Sequence, residues 1–427
     1  MKQVRNVVAG VVFAAAIAFT LSNCRSGSLA QPTTSEKKDS PRYPWPFAEK
    51  PKPTIDQLAV QDVHGGLSTI QPSHTHTRDY FLLADFLFWN AQEDGLDFAD
   101  KAIRKDNLDY KGKNIEPDFD RWAPGARLGL GFFFGWDDQW NFGLTWTYFH
   151  NKATEHAHTS DPFLMFPTWG GGSGIQGTTS PFKIPAITGN HVLAASADWR
   201  LNYNIFDLEI GRNYFISKAI AFRPRVGIRG SSIDQHYDVH YHSLYQDLSF
   251  PFSHEGSSSM KATNDSWGIG PRLGCDLSWH FTEHWGLVGS LSGSLLYGRF
   301  DVEQKYDGFM IEENLLAFPI TTSLVPLLNK NKFHKNLVQP NLDTSLGIEW
   351  ETRARKNKNH VSIGLFYELS YWFRQNQLVR TTTNGLFQTQ SQFFASTPFF
   401  GIEQSQYERE LGDLSLQGVT LKMRVDF

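Results

Sequence analysis

The nine residues at 419–427 constrain the fold of this chain more than any other stretch. Val419, Leu421, Met423, Val425 and Phe427 are apolar, and Thr420, Lys422, Arg424 and Asp426 between them are polar. Successive side chains of a strand point to opposite faces, so one face of this segment is hydrocarbon and the other carries three charges. A soluble edge strand can alternate in this way. The closing strand of a membrane barrel, with lipid on one side and a wet lumen on the other, also accounts for an aromatic at the very end. Phe427 then stands where a signal for the barrel-insertion machinery is expected.

The other end of the chain gives the same address. Lys2 and Arg5 precede an apolar run from Val7 to Leu21, and Ser28-Leu29-Ala30 offers small residues for cleavage before Gln31. This reads as a secretory signal over 1–30, too short and too well flanked for a spanning helix. A second reading is lipoprotein processing at Cys24. No later stretch approaches eighteen consecutive apolar residues, which excludes helical spanning. Cys24 and Cys275 are the only cysteines. Cleavage after Ala30 leaves Cys275 alone, without an internal disulfide framework. The net charge of −4 offers no case for nucleic acid. From 31 to 77 the chain is rich in Pro, Ser, Thr and Lys and reads as an extended periplasmic linker. Its His64, His74 and His76 read as a solvated tail rather than a metal site.

The two-residue period recurs through 78–427. Ala126, Leu128, Leu130, Phe132 and Phe134 oppose Arg127, Gly129 and Gly131. Trp140, Phe142, Leu144, Trp146 and Tyr148 form the next apolar face. Phe222, Pro224, Val226 and Ile228 oppose Arg223, Arg225 and Gly227. Trp267, Ile269, Pro271, Leu273, Cys275, Leu277 and Trp279 oppose Arg272 and Asp276. Runs at 285–297, 338–350, 361–373 and the terminal strand follow the pattern. Tyr80 to Trp89 is apolar on both faces apart from Asp85. The run at 193–210 changes phase near Phe206, which suggests a bulge. The sum is at least ten strands. Short connections alternate with long ones near 91–125, 150–190, 242–264, 300–336 and 375–412, long enough to hide further hairpins. The expected fold is all-β: a transmembrane antiparallel up-and-down β-barrel with short periplasmic turns and long extracellular loops, in a Gram-negative-type outer membrane.

Energetics choose the inner face. An arginine at the bilayer midplane costs about 2–4 kcal/mol on a barrel's lipid face. Four of them together would cost on the order of 10 kcal/mol, comparable to a whole folding free energy. Arg127, Arg223, Arg225 and Arg272 therefore face inward. Trp267 and Trp279 lie about 40 Å apart along a strand, or roughly 30 Å along the membrane normal after tilt, the separation of two aromatic girdles.

At this point the chain resembles a known family. The segment from Tyr80 to Phe98, Asp120-Arg-Trp-Ala-Pro-Gly125 with Arg127-Leu-Gly-Leu-Gly131, Arg223-Pro-Arg-Val-Gly-Ile-Arg229 and Trp267-Gly-Ile-Gly-Pro-Arg-Leu-Gly274 are similar, in order, to Legionella-type pore-forming outer-membrane proteins, relatives of the major-outer-membrane-protein-like barrels of environmental chlamydiae. The resemblance covers about 80 to 300 and the carboxy end. It implies a diffusion pore, without the cysteine-rich cross-linking of true chlamydial major outer-membrane proteins.

The expected pore lining is Arg127, Arg200, Arg223, Arg225, Arg272, Asp276, Glu349, Glu368 and Arg424, with Lys422, Glu209 and Asp343 beside them. Its slight basic excess predicts a weak anion preference. Small inward residues such as Gly129, Gly131, Gly143 and Gly268 fit either open space or a loop folded into the barrel. The expected function is passive diffusion of small hydrophilic solutes or ions, with membrane lipid and the insertion machinery as partners and oligomerisation open. No cofactor or metal is expected. Two other readings compete. A non-conducting adhesion or structural barrel would act through apolar loops such as 163–169 and 393–400, which also suit inward constriction. A hydrolase would use the row Asp234, His236, Asp238, His240 and His242, placed beyond a phase slip at 230–232. No nucleophile motif accompanies that row, and solvated histidines explain it and His156 and His158 better.

Overall fold

In the computed structural model, ten strands close into one antiparallel barrel. The structure describes residues 80–427 apart from 107–108, 135–139, 161–164, 170–171, 174–190, 218, 247–252, 315–320, 355–358 and 386–402. The barrel strands are β1 (Tyr80–Glu93), β2 (Trp122–Phe134), β3 (Trp140–His158), β4 (His191–Arg212), β5 (Ile220–Gln246), β6 (Ser253–His280), β7 (Trp285–Asn314), β8 (Thr321–Ala354), β9 (Asn359–Trp372) and β10 (Leu414–Asp426). Each pairs with the next, and β10 pairs with β1 from Phe81↔Asp426 to Glu93↔Leu414. The seam is finished by Tyr80 and Phe427, which exchange two backbone hydrogen bonds of 3.1 and 3.0 Å. Closure leaves no free edge at this level of the wall, which is what hydrocarbon demands of backbone groups.

The alternating apolar faces form an exposed belt around the barrel. Leu273 is 64% exposed and Leu365 59%, values that only a hydrocarbon solvent makes favourable for a continuous surface. Aromatic side chains edge the belt. Trp267 and Trp279 stand exposed at the two edges of the belt on β6, Trp267 in mid-strand and Trp279 near its short-turn end. Rings pair across neighbouring strands, Phe88 on Trp122 at 5.5 Å and Phe132 on Phe142 at 5.1 Å between centroids.

The wall is lopsided. Strands β3 to β8 run 19 to 34 residues, whereas β1, β2, β9 and β10 have only 13 or 14. Most of the stretches expected as loops at 242–264 and 300–336 are therefore continuations of the strands. Within the remaining loops lie two small hairpins, Ala99–Asp106 with Asp109–Ile115 and Val379–Gly385 with Glu403–Arg409.

Along the tall strands the apolar and polar faces exchange places. In β4, Phe206, Leu208 and Ile210 face out, and Asp207 and Glu209 face in. Toward the long-loop end, Trp199, Leu201, Tyr203 and Ile205 are buried inside, while Asp198, Arg200, Asn202 and Asn204 lie on the outer face. The register with β3 is unbroken from Trp140↔Arg212 to His158↔Ala194, so the bulge expected near Phe206 does not exist. The slip expected at 230–232 is absent as well, since β5 and β6 pair continuously from Ile220↔Trp279 to Gln246↔Ser253. The irregularity in β5 lies higher, at His242/Ser243 against β4. What changes at these points is the surroundings of each face. Lipid meets the outer face near the short-turn end. Beyond the upper girdle the outer face meets water, and the inner face meets folded-in loops.

Candidate functional site

The short-turn half of the lumen is a cavity of about 810 Å³. Inward alternation delivers its wall: odd residues of β2, β3, β4 and β5, and even residues of β6 and β10. Glycines make room for the rings that enter it. Phe81 lies over Gly131 and Gly143, where a Cβ on Gly131 would collide with the ring, and the Arg424 guanidinium covers Phe81 at 4.2 Å.

Charged side chains fill this wall in linked pairs. Nearest the short turns, His360 sits between Glu351 and Asp426 at 3.3 Å from each, and Arg424 reaches Asp426 at 2.7 Å. Arg223 meets Asp276 at 3.1 Å and Asn141 at 2.5 Å. Arg225 meets Glu209 at 2.9 Å and Ser290 at 2.7 Å. Across the lumen, Glu368 binds Arg127 at 2.9 Å and Lys422 at 2.7 Å, and Arg127 also meets Asp85 at 3.2 Å. Deepest lies a four-member knot. Arg229 and Arg272 share Asp207 and Asp343, with Arg229 at 2.7 Å from Asp207 and 2.6 Å from Asp343, and Arg272 at 3.1 Å from Asp343. Such charges persist away from bulk water because each is paired and hydrogen-bonded.

Above the knot, loop segments occupy the lumen. Segments from three loops fold inward: Leu96 and Phe98 after β1, Met165 and Trp169 after β3, and Gln375 to Leu378 after β9, all buried. They pack against Trp199, Leu201, Ile233, Tyr237, Val239 and Tyr241 of the tall wall. The polar atoms of this plug find partners, as burial requires. Tyr237 donates to Leu96 O and Tyr241 to Phe98 O, both at 2.6 Å. Asn264 donates to Gln375 O at 2.8 Å, and the Val379 amide donates to Gln304 Oε1 at 3.0 Å. Two turns aim the chain inward: Gly95 at φ +81° after β1, and Arg374 at φ 55° after β9, whose amide donates to Asp413 at 2.7 Å.

Of the residues expected to line the lumen, Arg127, Arg223, Arg225, Arg272, Asp276, Glu349, Glu368 and Arg424 border the cavity. Arg200 does not. It lies on the outer face, half exposed, and pairs with Asp198 at 2.8 Å. Asp207 and Arg229 were missed for the same reason that Arg200 was misplaced: alternation carried straight through Phe206 and Gly230 would have found all three. With these changes the expected basic excess reverses. Among the described residues, ten carboxylates border the cavity against seven arginine and lysine side chains. Among the described residues Glu349 makes no ion pair.

The row Asp234, His236, Asp238, His240 and His242 lies on the outer face above the belt, as do His156 and His158, and no metal-binding group occurs among the described residues. Of the two apolar loops, 165–169 enters the plug. Residues 163–164 and 393–400, Cys24 and the linker histidines lie outside the described residues.

A family model described as Legionella pneumophila major outer membrane protein precursor matches residues 72–425. No curated protein sequence matches the chain. Solved structures similar to it include the outer membrane protease OmpT from Escherichia coli, at 8% identity over 82% of this chain and 97% of that one, TM-score 0.32. The Ralstonia pickettii toluene transporter TbuX follows at 9% identity, 82% and 90% coverage and TM-score 0.27. A Pseudomonas aeruginosa FadL homologue gives 7%, 82% and 90%, and 0.25.

Proposed function

From the premise that the chain belongs to the family of the Legionella pneumophila major outer membrane protein precursor, and so to a Gram-negative-type outer membrane, we propose that it is a passive pore for small hydrophilic solutes or ions, its outer half occupied by inward-folded loops. The observation that carries this reading is the cavity of about 810 Å³, lined by ionised groups and reaching the exposed periplasmic-turn residues Glu283 and His284. A barrel needed only as a wall could fill that volume with packed side chains, as small barrels do. Here paired charges hold a hydrated passage instead, and paired rings of charge are how pores set what they pass. The plug then divides a wet inner chamber from the cell surface.

Planar-bilayer recording tests the reading. Purified protein is expected to give discrete current steps, and the Arg223→Ala, Arg225→Ala double variant, which takes both arginine partners from Asp276 and leaves Glu209 to Arg272, is expected to change their size and ion preference. A folded protein that passes no current, even after residues 373–380 are replaced by a Gly-Ser linker, would reject the pore. That outcome would favour the second reading, a surface-binding barrel. The observation behind it is the tall wall of β3 to β8, whose charged outer face stands clear of the lipid belt.

A further inference from the structure

The three inward loops come from distant parts of the chain, yet they converge on one cation. Arg380, just beyond the last plug residues, donates to Asp97 Oδ2 at 3.1 Å and makes a second hydrogen bond to the same carboxylate through its other terminal nitrogen. Its Nε lies 2.6 Å from Glu410, and its guanidinium covers the Trp169 ring at 5.0 Å. Asp97 belongs to the loop after β1, Trp169 to the loop after β3, and Arg380 and Glu410 to the loop between β9 and β10. Asp97 is gripped from a second side, because the Trp169 indole and the Thr168 hydroxyl both donate to its carbonyl, at 2.8 and 2.6 Å.

The chemistry suits a fastener. A guanidinium fork matches a carboxylate in two parallel hydrogen bonds and stacks on an aromatic face, so one side chain fixes three partners in one geometry. Burial alone would lower the Arg380 pKa, but the Asp97 hydrogen bonds and the Asp97 and Glu410 charges outweigh it and hold it above its ordinary value. Among the described residues the other contacts of the plug are apolar packing and hydrogen bonds, including one from the charged Lys335 to Gln377 at 3.3 Å. Without the cation, Asp97 and Glu410 would face each other as like charges in a half-buried pocket.

We propose that Arg380 is the latch that holds the three-loop plug inside the barrel, so that its release from Asp97 and Glu410 frees the outer half of the lumen. As a statement about gating, the inference rests on the pore reading above. As a statement about what keeps the loops inside, it stands alone.

Two readouts separate these. Hydrogen exchange is measured at the amides of 96–98, 168–169 and 376–379 in the folded, detergent-solubilised protein. In Arg380→Ala they are expected to exchange about tenfold faster or more, the size expected when one partner of a desolvated charge pair is removed. Amides of β5 and β6 beside the cavity should stay as in wild type. Arg380→Asp combined with Asp97→Arg should restore protection. If Arg380→Ala disturbs the strand amides too, Asp97→Asn takes its place with the same expectation. Plug amides as protected in the folded variant as in wild type would overturn the latch. Bilayer current is the second readout. Freed plug amides with a time-averaged current about tenfold above wild type support the gate. Freed amides with no current leave the latch standing and reject the pore.

Discussion

At the residue scale, what decides a charged side chain's role is the medium on its side of the wall. Arg229 and Arg200 lie on adjacent strands, yet one is 5% exposed between Asp207 and Asp343 and the other 47% exposed against Asp198. Removing Arg229 leaves two carboxylates, Asp207 and Asp343, to share Arg272 alone, and Arg229→Ala is expected to destabilise the barrel by about 3 kcal/mol. Arg200→Ala gives up an exposed pair that stabilises by no more than about 1 kcal/mol. Urea unfolding in lipid vesicles, followed by tryptophan fluorescence, measures both. Equal losses in the two variants would mean that the assignment of inner and outer faces is wrong. Most of the lumen residues were legible in the sequence because arginine on a lipid face is so costly. Arg229 was not, because its strand changes surroundings one residue further on.

At the scale of the element, the strands are longer than their apolar stripes. A stripe in the sequence marks where one solvent lies, and ends where that solvent ends, while the hydrogen-bonded ladder continues. The β4 stripe switches from the even to the odd residues at Phe206, which imitates a bulge although the register with β3 is continuous. The two explanations make opposite predictions for Asn202 and Leu208. On an unbroken strand both point outward, one into water and one into lipid. Nitroxides at these positions are expected to show water-soluble relaxer access at 202 and oxygen access at 208. A label at 202 shielded from both would restore the bulge. The same inversion explains β5, where the outer Val226 and Ile228 give way to Asp234 and His236 while Ile233, Tyr237 and Val239 turn inward.

At the scale of the whole molecule, the charge of the lumen is a sum over strands that meet only in the closed barrel. With ten carboxylates to seven arginine and lysine groups among the described residues around the cavity, a conducting lumen is expected to prefer cations. The reversal potential in a potassium chloride gradient checks this, and an anion-selective sign would mean that the mobile ions do not meet this wall. Sequence alone determined the strand period, a floor of ten barrel strands, the outward belt with its girdles and most of the inward charges, because lipid punishes a misplaced charge locally and at every residue. It could not determine how high the wall stands, that three loops return to fill it, or which carboxylate answers which arginine. Those depend on side chains hundreds of residues apart sharing one enclosed space, and a two-residue period reports only that two faces differ, never what lies against each.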